Sequence, residues 1–111
     1  MNNKVKLKFF NRLLACGWLA TPLCAAVLPM SRQLELRTLL TQDCGSCHGL
    51  TLKGGLGPPL RPGDLTGKPP AYLAAVILDG RPGTAMPPWR TLLSVAEAQW
   101  LADYLSTGQL P

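Results

Sequence analysis

Leu36 and Leu40 stand four apart, and steps of three or four carry the same stripe on to Cys44 and then to Cys47 and His48, the interval of one helix face. The spacing predicts a first helix from Ser31 to about Cys47, with Ser31 as its cap. Residues 49–68 are rich in glycine and proline and show no regular period, so a loop is expected there. Pro69 and Pro70 then open a second helix through Tyr72, Leu73, Val76 and Ile77, which Gly80 stops. Ser94-Val95-Ala96-Glu97 has the spacing of a capping box, with Leu93 ahead of it placed to staple onto Ala98. The last helix is therefore expected from about Val95 to Thr107, where Trp100, Leu101, Tyr104 and Leu105 form one apolar stripe that reads as core. No alternating run of β-branched residues precedes Cys44. The pattern is that of an all-α chain of three to four short helices.

Composition sharpens this picture. With 111 residues the chain holds one small domain, and 11 glycines plus 11 prolines exclude a long coiled coil or a repeat solenoid. At 47% hydrophobic and 15% charged it is not a disordered sequence. The formal charge of +5 is unevenly divided. Lys4, Lys6, Lys8 and Arg12 carry most of it, with no acid among the first 30 residues, whereas from residue 27 onward seven basic side chains face six acidic ones. The body is nearly neutral and has no basic stripe to track phosphates, which argues against a nucleic-acid partner.

The basic amino-terminal end has its own explanation. Residues 1–12 are polar and positive, Leu13 to Leu23 is an apolar stretch, and small residues follow at Cys24, Ala25 and Ala26. That order describes a secretory leader cleaved after Ala26, leaving residues 27–111 as the mature domain in an oxidising compartment, the periplasm. A retained anchor is the alternative, but an apolar run of about 11 residues is too short to cross a ~30 Å hydrocarbon layer. Leu13-Leu14-Ala15-Cys16 also matches a lipoprotein processing site weakly.

Two cysteines remain after the leader, in Cys44-Gly45-Ser46-Cys47-His48, and His48 is the only histidine in the chain. This C-x-x-C-H spacing suits covalent haem attachment: on a helical turn both thiols face one edge of a porphyrin, and the imidazole one residue further on points at the iron. Three rivals use the same residues. A Cys44–Cys47 disulfide closes so short a loop that it removes little unfolded-chain entropy. A thioredoxin-like pair needs a βαβ setting that is absent from the pattern, and a zinc site lacks a fourth ligand.

For the sixth iron position Met30 and Met86 are the methionines outside the leader. Met30 lies just ahead of the first helix. Met86 sits 38 residues after His48 in Gly83-Thr84-Ala85-Met86-Pro87-Pro88-Trp89, an extended loop stiffened by proline. Core filling is the plain alternative for a methionine, but a loop position bracketed by glycine and proline favours ligation. Trp89 beside this loop is expected to shield the haem.

With these residues in view, the chain resembles the class I monohaem cytochromes c. Besides the attachment motif, Gly57-Pro58-Pro59-Leu60 looks like that family's Gly-Pro-x-Leu segment. The resemblance implies that the Pro58 carbonyl accepts the second ring N–H of His48 and that Leu60 packs on the haem face. It also implies that the helices at the two ends cross, bringing Trp100 or Tyr104 against Leu36 or Leu40, and that three to four helices wrap one haem c. Asp43 to Leu50, Gly54 to Pro58 and Gly80 to Trp89 further resemble the small periplasmic cytochromes encoded with cytochrome cd nitrite reductase in denitrifying bacteria, over residues 31–109.

The cofactor-binding set expected is thus Cys44, Cys47, His48, Pro58, Leu60 and Met86, with His48 and Met86 on the metal and no catalytic residue. The function expected is single-electron transfer, since the mature chain offers no second histidine, no carboxylate pair near the motif and no spare thiol. The resemblance implies redox partners, among them cytochrome cd nitrite reductase, served as electron donor or in maturation of its haem. The protein is expected to act as a monomer without stable membrane insertion. A haem sensor of nitric oxide or carbon monoxide, with Met86 displaceable, is the alternative from another class, and Pro87 and Pro88 argue for a loop too stiff for it. A peroxidase would need a distal acid or base that the sequence does not supply.

Overall fold

The computed structural model describes residues 27–109; the leader assigned to residues 1–26 lies outside them. Among the described residues there are helices and turns and no strand. Helix α1 spans Met30–Leu39, a π-helical turn Leu40–Cys44 follows, and α2, Gly45–His48, continues it without a break. Helix α3 covers Pro70–Asp79 and α4 covers Val95–Thr107. The stretch expected as plain loop holds one further element, a 3-10 turn at Pro62–Leu65, which buries Leu65.

The first helix starts one residue earlier than its sequence suggested, and Ser31 is not its cap. Pro29, at φ −56° and ψ 147°, occupies that position with no side-chain hydrogen bond, and its carbonyl accepts from Gln33 N at 3.0 Å. A proline of fixed φ orients the entering chain without needing a hydroxyl. The second departure is the π-turn. Gly45 N donates to Leu40 O five residues back, so the buried row runs Leu36, Leu40, Gly45. Cys44, expected on that row, is turned half out of the core.

Helix α4 forms as its signals require. Ser94 accepts from Glu97 N at 3.2 Å, Glu97 returns a bond to Ser94 N at 2.7 Å, and Gly108 closes the helix in the left-handed conformation. Leu93 and Ala98, the two staple positions, are both buried in the core. Helices α3 and α4 make the main packing layer, joining Leu73, Ala74 and Leu78 to Leu101, Ala102 and Leu105. Leu36 and Leu40 enter the same core, as does Tyr104. Each fully buried leucine contributes about 1.5–3 kcal/mol from removal of its apolar surface from water.

The two end helices are joined at two points. Arg32 Nε donates to Glu97 at 2.5 Å, and the Arg37 guanidinium lies 5.1 Å from the centroid of the Tyr104 ring. Tyr104 is therefore the aromatic residue that meets the first helix. Trp100 stacks on its outer side, ring centroids 5.0 Å apart, and stays half-buried.

Candidate haem site

Between α2, the 49–68 loop, α3 and the loop that follows α3 lies a largely apolar slot of about 650 Å³, within the range of small-molecule and cofactor sites. Cys44, Cys47, His48, Pro58, Leu60 and Met86 all line it. The six residues named from sequence are thus brought to one cavity. Met30 is not among them; it is the exposed first residue of α1.

The two thiols occupy different surroundings. Cys47 is exposed, whereas Cys44 is half-buried with its thiol pushed up to about 11, first by burial and then by the neighbouring Asp43 charge. Redox-active cysteine pairs need a depressed thiol, so this environment opposes a thioredoxin-like role. Among the described residues no three His, Cys, Asp or Glu side chains come together to hold a metal ion.

His48 Nδ1 lies 2.7 Å from the carbonyl oxygen of Pro58. A carbonyl only accepts, so Nδ1 carries the proton and Nε2 is left with its lone pair, the tautomer a metal-ligating imidazole requires. The loop that delivers this carbonyl is tied back to the motif itself: Gly54 N bonds His48 O, and Gly57 N bonds Cys47 O, both at 2.8 Å. Leu52 at the loop's centre takes a positive φ of 55°, a strain of about 1–2 kcal/mol for a residue with a Cβ. Its side chain is buried to 1% exposure, which offsets that strain with about 1.5–3 kcal/mol of apolar burial.

On the opposite side of the sequence, the methionine loop is anchored at both ends to the end of α3. Arg81 N bonds Met86 O at 3.1 Å, and Trp89 N reaches both Ile77 O and Leu78 O at 3.1 Å. Met86 and Trp89 are half-buried and both line the slot.

The structure adds residues that sequence reading did not single out. Leu73, Val76 and Ile77 of α3 form a wall of the slot, and Leu101 and Leu105, read as core only, also face it. Their helical spacing was visible, but core and cofactor wall give the same pattern. Gly57 lies so close to the His48 ring that a Cβ there would stand 2.8 Å from Nδ1 and Cε1. Lys68 and Arg81 bring positive charge to the lining. Asp64, also on the lining, is bound by Arg61 at 2.7 Å, which holds its carboxyl below the usual range.

Comparison with known proteins agrees with this geometry. The family described as cytochrome c oxidase, cbb3-type, subunit III matches residues 32–105. Cytochrome c55X of Pseudomonas aeruginosa is 60% identical over 79 residues, a match spanning 71% of this chain and 66% of that protein. The solved structure of a c-type cytochrome, NirC, shares 56% identity at a TM-score of 0.74, covering 76% of this chain and all of that one. Dihydro-heme d1 dehydrogenase NirN, solved in complex with DHE, contains a similar region at 42% identity and a TM-score of 0.60, spanning 67% of this chain and only 16% of that one.

Proposed function

This chain belongs to the class I monohaem c-type cytochromes, with haem c as its covalently held cofactor and electron carriage as its role, and we propose that it serves the nitrite reductase system of denitrification in the periplasm. The observation that carries the reading is the gathering of both cysteines, the sole histidine and Met86 around one apolar slot. Haem c supplies an iron whose ferric and ferrous states differ by the one electron carried.

Each residue then has a defined task. Cys44 and Cys47 hold the two edge carbons through thioethers. His48 would offer Nε2 to the iron, with its other ring nitrogen held at the Pro58 carbonyl. Met86 would supply a thioether sulfur to the iron, Leu60 and Trp89 would shield the slot from water, and Lys68 and Arg81 would put positive charge on its lining. With both ligands supplied by the chain, methionine ligation would favour ferrous iron and suit a carrier that passes electrons without binding a substrate.

A partner is suggested by the relative that carries this kind of domain inside a longer chain. That relative is a dihydro-heme d1 dehydrogenase, and a dehydrogenase must hand its electrons on. This chain takes them as a monomeric acceptor during maturation of the haem of cytochrome cd nitrite reductase, or gives electrons to the mature reductase. With the two haem carboxylates the described body carries a net charge of about −1, too little to steer docking strongly. Among the described residues no helix is long and apolar enough to cross a membrane.

The test is the absorption spectrum of protein matured in a bacterial periplasm, oxidised and then reduced, followed by stopped-flow mixing with the dehydrogenase or the reductase. A near-infrared band of sulfur-ligated ferric iron, lost in Met86→Ala, supports the carrier; a high-spin spectrum with tight carbon monoxide binding in the wild type would move the sensor reading ahead. Reduction of the oxidised chain by the dehydrogenase together with its substrate supports the maturation role. Oxidation of the reduced chain by the reductase alone supports the donor role, and inertness toward both would sink the proposed partnership.

A further inference from the structure

Gly80 ends α3 at φ 68° and ψ −168°, a combination essentially restricted to glycine. It is buried, and its α-carbon faces backbone rather than side chain: a Cβ there would stand 2.7 Å from Met86 O, 2.8 Å from Pro87 C and 2.8 Å from Pro88 N. Backbone flanked by two prolines has few ways to yield. Across the loop, the Thr84 hydroxyl donates to Arg81 O at 2.7 Å and accepts from Met86 N at 3.3 Å. The peptide groups on both sides of Met86 are therefore held, the carbonyl by Arg81 N above Gly80 and the amide by Thr84.

We infer that Gly80 and Thr84 are positioning residues that clasp the backbone of Met86 and thereby set how firmly its sulfur stays at the sixth position of the iron. The inference rests on the reading of Met86 as that ligand. Any side chain at residue 80 drives the Met86–Pro88 backbone away from the end of α3, and loss of the Thr84 hydroxyl frees the Met86 amide. Both changes raise the fraction of time the sulfur is off the iron, without touching the iron themselves. Gly83 supplies the comparison: it shares a positive φ, 75°, but nothing lies within 4 Å of a Cβ placed there.

The experiment uses the full-length protein matured with haem, as wild type, Gly80→Ala, Thr84→Val, Gly83→Ala and Met86→Ala. Three readouts are taken: the near-infrared sulfur-to-iron band of the oxidised form, carbon monoxide titration of the reduced form, and far-UV circular dichroism. Apparent affinity scales with the fraction of protein in the open state, so a rise in the sulfur-off population from about 1% to about 10% tightens carbon monoxide binding about tenfold. The expected result is that Gly80→Ala weakens the band and binds carbon monoxide about tenfold more tightly. Thr84→Val shifts in the same direction by less, and Gly83→Ala, which carries the strain of a positive φ but meets no atoms, shifts less than Gly80→Ala; an equal shift in Gly83→Ala would overturn the inference. A helical Gly80→Ala protein with wild-type band and affinity would overturn the inference; if that variant does not fold, unchanged behaviour of Thr84→Val overturns it instead. A wild type that already lacks the band and binds carbon monoxide as Met86→Ala does refutes the ligand assignment itself, before any loop variant is compared.

Discussion

The Arg32 guanidinium on α1 meets the Glu97 carboxylate on α4 at 2.5 Å, across 65 positions of sequence. Because Glu97 also accepts from Ser94 N, one carboxylate both caps α4 and ties its start to the first helix.

That carboxylate makes stability depend on acid. Arg32 first, and then the Ser94 amide, hold the Glu97 carboxyl below its ordinary value of 4.5. A folded-state value lower than the unfolded one stabilises fully above the unfolded value and loses that contribution as pH falls through the folded one. Glu97→Gln is therefore expected to lower Tm modestly at neutral pH, and the gap to wild type should close below about pH 4.5. Thermal melts of the haem-loaded proteins across pH 3–7 measure this; a gap that widens in acid contradicts it.

Ser94→Ala removes the other half of the capping box. The expected loss is about 1 kcal/mol, which for a domain of this size lowers Tm by about 4–8 °C with the absorption spectrum unchanged. Calorimetry of the two proteins decides it.

Gly57 presses on the His48 ring closely enough for a substitution to be read at the iron. Gly57→Ala would push the ring away from the Pro58 carbonyl, making the imidazole a poorer donor and so destabilising ferric iron. The midpoint potential is expected to rise, with about 59 mV for each tenfold loss of ferric over ferrous preference. Spectroelectrochemical titration that finds an unchanged or lower potential would show that the ring tolerates the displacement.

Without haem the same slot becomes a fault in the fold. Its lining of Leu73, Val76, Ile77, Leu101 and Leu105 then faces about 650 Å³ of water and loses the apolar burial that haem supplies. Cys44→Ser/Cys47→Ser protein is expected to be largely unfolded by far-UV circular dichroism, and native-like helicity would contradict this.

How much of the architecture was readable depended on the distance over which each feature is determined. The last helix was legible because Ser94 and Glu97 are local signals whose partners lie within one turn. That the attachment motif and Met86 would share one slot was legible because few residue types can do that chemistry. The π-turn was not: Leu36, Leu40 and Cys44 have the spacing of a regular helix, and the five-residue bond from Gly45 to Leu40 is set by how the segment packs. Gly57 against His48 and Gly80 beneath Met86 were hidden for a related reason. Each glycine's role comes from a contact through space, and sequence records only that the position is small.

The π-turn between the first helix and the haem motif carries one residue more than a regular turn would need. A helix of uniform pitch would couple its two ends rigidly, so that any gain or loss of a residue rotated the cysteines away from the slot while Leu36 stayed in the core. Here the irregular turn separates the two registers. Residues 40–44 are thus the place where this helix can shorten by one position and return to ordinary winding, with both flanks kept in phase.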